Sequence, residues 1–503
     1  MDKQKQMHPL IERKRAAPPF SLSIDLGTSA VKTAVFDLYG RMLRESYCHK
    51  PVALIIQNDG TAVIDADILL ESVCTCIDQT IEGMGSETNK IAAVGISTFV
   101  SNILGVDSYG QAATPIYTYA DTRPAAEAKI LKQNYDEAVY HQRTGCFFHP
   151  SYLPARFIWL KRTQPRLINL KLRWMSVGEY LFLKLFGRTV VSYSVASWSG
   201  LLDWRCLAWD KEILAQISLP AENLSELTDI DQPLYGLQPP FSSRWSVLKN
   251  IPWFPTVGDG AAANVGSGCD QPDRIALTMG STTALRVVLP GVIPSIPAGL
   301  WNYRLDREHI LLGGALSEGG NIYSWLIKTL RLEESLDLES LLASAPADQH
   351  GLTFLPLLGG ERSPGWKGEA RGAITGLSLA SSAEDIFIAA LEGVAYRVGL
   401  VYALLDPVLN QDHLIVANGG ALIQSPAWVQ MIANVLGCPI ILSEVLEASA
   451  RGVALLALKN IGAVPQLEDF PNFIGRRFDP DPEKHALYAA AIRRQGQLYE
   501  SLF

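Results

Sequence analysis

Leu22, Ile24 and Leu26 alternate with polar residues, Gly27-Thr28-Ser29 interrupts the run, and Val31, Thr33 and Val35 resume the period of two before a turn at Tyr39-Gly40. A period of two marks half-buried strands, and a glycine beside two hydroxyl residues is turn chemistry, so this segment predicts a β-hairpin with a small-residue tip. The period then lengthens. Ile68, Leu69, Val73, Cys76, Ile77 and Ile81 recur at helical spacing, and Ile91 to Ser97 reads as a buried strand. Hairpin, helix and strand in that order predict an α/β domain with a mixed sheet.

The same pattern returns half a chain later. Leu277-Thr278-Met279 runs into Gly280-Ser281-Thr282 and a second apolar strand from Thr283 to Val288, with a cation close by in each copy, Lys32 in the first and Arg286 in the second. A repeat at this separation predicts a duplicated domain. The junction is expected near Pro255 to Gly258, giving domains 20–257 and 258–503. Within the second half, 310–315 reads as a strand and 321–332 as a helix carrying Ile322, Trp325, Leu326 and Leu330 on one face. Ser382 with Asp385 forms a capping box for the next helix. The strand 414–417 enters Asn418-Gly419-Gly420-Ala421, and Ser425-Pro426 opens a helix that Gly437 closes.

Composition narrows the classes. Forty-three basic against fifty-one acidic side chains leave a net charge of -8, so nucleic acid is not an expected partner. Hydrophobic residues make up 48%, enough for large cores, but no unbroken apolar run reaches the roughly 18 residues of a membrane span. No membrane is expected. Seven scattered cysteines do not form a disulfide framework or a zinc spacing, which points to a reducing, cytoplasmic compartment. Residues 1–19, with Lys3, Lys5, Arg13, Lys14 and Arg15 and a terminal Pro18-Pro19, read as a disordered basic tail. Oligomeric state is not readable.

Two loops of Gly, Ser and Thr, one per half, present backbone N–H groups and hydroxyls suited to phosphate oxygens. One such loop is a hairpin turn; two at duplicated positions point to a function. Asp25, leading into the first, is either a local hydrogen-bonding cap or an outer Mg2+ ligand, and the loop favours the metal. Gly258, Gly260 and Ala263 satisfy G-x-G-x-x-A, but the preceding segment holds two prolines and no acid stands twenty residues on, so an NAD-dependent oxidoreductase has only the spacing behind it. Asp259 itself is the point of that motif: a carboxylate opening a small-residue helix at the domain junction, placed to accept a proton from a substrate hydroxyl. Asp121-Thr122-Arg123 is either a surface ion pair or a binder of sugar hydroxyls and a substrate carboxylate. The sequence has no P-loop, no H-E-x-x-H and no G-x-S-x-G.

Taken in order, Ile24-Asp25-Leu26-Gly27-Thr28-Ser29, Gly95-Ile96-Ser97, Tyr119-Ala120-Asp121-Thr122-Arg123, Gly258-Asp259-Gly260, Gly280-Ser281-Thr282, Gly359-Gly360-Glu361-Arg362-Ser363-Pro364, Gly419-Gly420-Ala421 and Glu447-Ala448-Ser449-Ala450-Arg451-Gly452 resemble the FGGY family of carbohydrate kinases. The resemblance implies two duplicated ribonuclease-H-like domains of the actin and hexokinase type around a deep central cleft, with ATP and Mg2+. It implies Asp259 as catalytic base, Asp25 and Asp259 at the metal, and Gly27, Thr28, Ser29, Lys32, Gly280, Ser281 and Thr282 at the phosphates. Gly419, Gly420, Ala421 and Gln424 fall at the adenosine, and Ser101, Asp121, Arg123, Asp259 and Gly260 at the sugar. The motifs are most similar to the gluconate kinase branch, then to xylulose kinases. Two departures stand out: Val100-Ser101 replaces a Met-His or Trp-His pair that touches the sugar, and Tyr119 stands where Trp is common. The expected activity is phosphorylation of a small sugar or sugar acid, with a catalytically altered nucleotide-binding regulatory protein on the same fold as the other class.

Overall fold

The computed structural model describes residues 8–333, 335–409 and 412–503. The first hairpin is β1 (Phe20–Leu26) against β2 (Ala30–Phe36), antiparallel, with Asp25 opposite Lys32. Helix α1 (Ala66–Met84) starts at Asp65, whose carboxylate accepts the N–H groups of Asp67 and Ile68, and buries Leu69, Val73, Cys76 and Ile77. It delivers the chain to β3 (Ile91–Thr98), which lies parallel beside β1. Far along the chain, β4 (Val257–Gly258) adds to the other side of β3, again parallel, and α2 (Asp259–Gly266) begins at the next residue.

The second sheet repeats this plan. β5 (Arg274–Met279) and β6 (Thr283–Pro290) form an antiparallel hairpin, and β7 (His309–Leu316) extends it beside β6. After α3 (Gly320–Thr329) and α4 (Ala383–Leu405), β8 (Leu414–Asn418) lies parallel beside β5. The order β2-β1-β3 therefore recurs as β6-β5-β8, so the two-domain architecture and its duplication, expected from the repeated hairpins, are both present. α4 opens with the Ser382–Asp385 capping box, and α5 (Pro426–Leu436) is closed by left-handed Gly437. The helix expected over 321–332 stops earlier, at Thr329, with Ile322 and Leu326 buried and Trp325 half-exposed.

Two further expectations change. Residues 1–7 of the supposed disordered tail lie outside the described residues, but 8–19 are laid along the first sheet: Leu10 and Ile11 pair in parallel with Met42 and Leu43, and the Arg13 guanidinium donates to the Gly83 carbonyl at 2.6 Å. An apolar dipeptide with a sheet edge to pair with holds the segment in place. In addition, α4 with the turn after it is long and apolar enough to cross a membrane by length and composition. It is instead the core helix of the second half, burying Phe387, Leu391, Val394, Val398 and Val401.

The expected division at 257/258 falls inside β4, and the halves are stitched on either side of it. α6 (Ala448–Asn460), although it follows β8 in the chain, lies against β1, β3 and α2. An apolar seam also joins Phe147, Tyr152 and Phe157 of the first half to Trp301, Tyr303 and Trp366 of the second. The seam brings the two hairpins and the start of α2 toward one region.

Candidate active site

Asp259 is the first residue of α2, and the N–H of Gly260 donates to its Oδ1 at 2.7 Å. Burial first, then the neighbouring Asp25, pushes its carboxyl up to about 6, against the pull of Arg286 and the Gly260 N–H. An acid poised there is ionised at neutral pH and still basic enough to take a proton. Asp25, at the end of β1, accepts a hydrogen bond from the Ser97 hydroxyl on β3, its register partner. Burial raises it too, while Ser97 and Lys32 pull it down. Asp25 thus raises the proton affinity of Asp259, and two such neighbouring carboxylates are hard-oxygen groups able to hold a divalent cation, whose charge would relieve the repulsion.

The first tip closes with the Gly27 N–H donating to the Ala30 carbonyl at 3.0 Å, leaving Thr28 and Ser29 toward solvent. Lys32 was expected among the phosphate-binding residues; its ammonium instead donates to Glu447 at 2.7 Å, and Tyr47 donates to the other oxygen of the same carboxylate. Glu447 is the residue that precedes α6, so this pair joins the first hairpin to the second half of the chain. The second tip is braced by α3, whose Gly320 N–H donates to Gly280 at 2.8 Å and Asn321 N–H to Ser281 at 3.2 Å. Because β8 runs parallel to β5, the turn Gly419–Ala421 emerges directly beside Gly280. Gly419 has φ +106 and its α-carbon lies against the Met279 backbone, a position no side chain could share. Gly420 faces open space, and Gln424 ends the short helical turn that follows.

The structure separates the expected sugar-side residues. Ser101 is buried and its hydroxyl donates to the Trp198 carbonyl at 2.7 Å, so it supports Trp198 rather than opening into the cleft. Asp121 is fully buried between the guanidinium groups of Arg123 and Arg156, at 3.0 and 3.2 Å, and Arg123 stacks on Trp159. A guanidinium already committed to a carboxylate and an indole is not available to a ligand. Arg156 also donates to the carbonyls of Thr118 and Asp121, which pins the turn that presents Tyr119. That phenol lies close enough to Asp259, Thr28 and Arg362 to feel all three, and burial and Asp259 raise it.

Several cleft residues gave no sequence signal of this role. Trp198 stacks on Tyr303 with ring centroids 3.7 Å apart, and its indole N–H has no partner. The Arg362 guanidinium donates to the Leu316 carbonyl at 2.6 Å. Nearby His149 is driven to about 3 by burial and by Arg362 and Lys132, so it is a neutral imidazole. Glu318, buried behind the second tip, is pushed up to about 7 by burial, with one carboxyl oxygen unpartnered. Arg286, visible in the sequence only as a cation after the second loop, is 6% exposed and donates from Nη1 to the Gly260 carbonyl at 2.9 Å. Away from the cleft, Asp348, His350 and Glu392 lie close enough to suggest a metal site. His350 Nδ1, however, accepts the Leu352 N–H, which places its proton on Nε2 facing Glu392 and leaves no lone pair for an ion.

Residues 20–266 match the model of the FGGY carbohydrate kinase N-terminal domain and residues 275–461 that of the C-terminal domain. A gluconokinase of Bacillus licheniformis is 25% identical over 480 residues, covering 93% of this chain and 92% of the relative. Among solved structures, gluconate kinase from Lactobacillus acidophilus superposes with a TM-score of 0.89 at 24% identity, covering 96% of this chain and 98% of that one. A ligand-bound xylulose kinase from the same organism gives 0.90 at 24% identity and the same coverage.

Proposed function

The chain belongs to the FGGY family of carbohydrate kinases, and from that premise we propose that it transfers the γ-phosphoryl group of ATP to a hydroxyl of gluconate. The observation that carries this reading is Asp259: a carboxyl with raised proton affinity, opening a helix between two hairpins whose tips are built of Gly, Ser and Thr. The gluconokinase relative supports the choice of sugar. Asp259 takes the proton of the attacking hydroxyl. The Gly27–Ser29 and Gly280–Thr282 tips hold the phosphates through N–H and hydroxyl groups, and Gly419, Gly420, Ala421 and Gln424 receive the adenosine. Asp25 and Asp259 would hold Mg2+, which supplies charge neutralisation at the phosphate oxygens. Tyr119 and Trp198 flank the acceptor and shield it from water.

The test is ADP release measured across gluconate, xylulose, ribulose and glycerol. Gluconate should give the highest kcat/KM by at least about tenfold; a higher value for any of the others replaces it as the acceptor. The pH dependence has a definite sign. Only ionised Asp259 accepts a proton, so kcat/KM falls about tenfold per unit below the group's value, which is about 6. An ordinary Asp would hold its activity to about pH 4. Because the charge on Asp25 is one cause of the rise, Asp25→Asn should move this acid limb to lower pH, whatever it does to the maximum.

A further inference from the structure

We propose that Arg286 binds the carboxylate of a sugar-acid acceptor, making it the residue that selects an anionic over a neutral substrate. The inference rests on the kinase reading above and adds its substrate class. The guanidinium is nearly buried, at 6% exposure; its bond is to the Gly260 carbonyl, its Nε has no partner, and no carboxylate among the described residues lies within ion-pair distance. A buried cation without a counter-charge is costly, and an unsatisfied buried donor in a native protein calls for a ligand or a catalytic reason. Asp259 eases the cost through its field without touching the group.

Position narrows the ligand. The bond to Gly260 ties Arg286 to the residue after the base, so an alcohol whose hydroxyl reaches Asp259 carries the rest of its length past the guanidinium. Three residues of β6 lie between Arg286 and Thr282, which sets its backbone about 13 Å along the strand from the second tip. Gly260 packs directly against both groups, since a Cβ there would come within 2.7 Å of Arg286 Nη1 and 3.2 Å of the Trp198 ring. The same ring carries an unpartnered indole N–H on the side facing Gly258, 3.0 Å from where a Gly258 Cβ would be. A planar guanidinium fork and an indole donor beside it match a carboxylate flanked by a hydroxyl.

The experiment compares wild type, Arg286→Lys and Arg286→Met by kinetics with gluconate and with neutral xylulose, and by calorimetric titration of gluconate and of a non-hydrolysable ATP analogue. Arg286→Met should weaken gluconate binding about 100-fold and lower the gluconate-to-xylulose ratio of kcat/KM by at least about 30-fold. Arg286→Lys should recover part of both, and the analogue affinity reports that the variant is folded. Equal losses with gluconate and xylulose, or a gluconate affinity within threefold of wild type, overturn the assignment while leaving the kinase reading intact. A wild type that releases ADP with xylulose but with no sugar acid overturns the assignment and the choice of gluconate together.

Discussion

Asp259→Asn should lower kcat with gluconate about 1,000-fold while the affinity for an ATP analogue stays within about threefold. Asparagine keeps the shape of the side chain and still accepts the Gly260 N–H that fixes the start of α2, but it cannot take a proton. The change should not weaken the fold. A carboxyl pushed up to about 6 by burial and by Asp25 is one whose ionised form the folded state disfavours at neutral pH, so removing it leaves the thermal midpoint at or above that of wild type. Activity lost with stability held is the signature expected of a reacting group. Residual turnover within tenfold of wild type would remove Asp259 from the proton transfer.

That residue was legible before any coordinates because its signals are local: a carboxylate between two glycines, at the head of a run of alanines, near the middle of a duplicated chain. The hairpins were legible for the same reason, each an alternation of period two broken by Gly and hydroxyl residues. What escaped was everything decided by a partner far along the chain. Lys32 looked free beside the first loop, but Glu447 lies 415 residues away and claims it. Asp121 and Arg123 read as a surface pair or a ligand clamp; Arg156, on the helix Leu153–Thr163, closes over Asp121 and turns the pair into a brace for Tyr119. Ser101 inherited a sugar-contacting role from its place in a motif, yet its hydroxyl is spent on Trp198. Arg286, Trp198 and Arg362 become site residues only when the seam closes, since no periodicity distinguishes a buried arginine facing a cleft from one in an ion pair.

Gly266→Val should be strongly damaging although it lies outside the cleft, costing about 3 kcal/mol or more by forcing packed elements apart. The reason is where α2 and α6 cross. Ala262 and Gly266 share one face of α2 at i, i+4 spacing, and Ala448 and Gly452 do the same on α6. A Cβ on Gly266 would overlap the Ala448 carbonyl oxygen, and one on Gly452 would overlap the Ala262 carbonyl oxygen. Gly95 on β3 meets the Val453 carbonyl in the same way. The helices thus touch backbone to backbone with no flexible side chain to give way. In a chain of 503 residues a loss of about 3 kcal/mol lowers the thermal midpoint by about 3 °C. Gly496→Ala, on a helix position with nothing within 4 Å, should instead raise it slightly. Function should suffer beyond stability, because the first residue of α2 is Asp259 and the residue preceding α6 is Glu447. Splaying the helices moves the base relative to Asp25 and pulls Glu447 from Lys32, so kcat/KM should fall even at temperatures where the variant is fully folded. Once one valine has opened the crossing, a second at Gly452 should cost much less than it does alone. Additive losses, or a Gly266→Val midpoint within about 1 °C of wild type, would mean that the crossing does not hold the base in place.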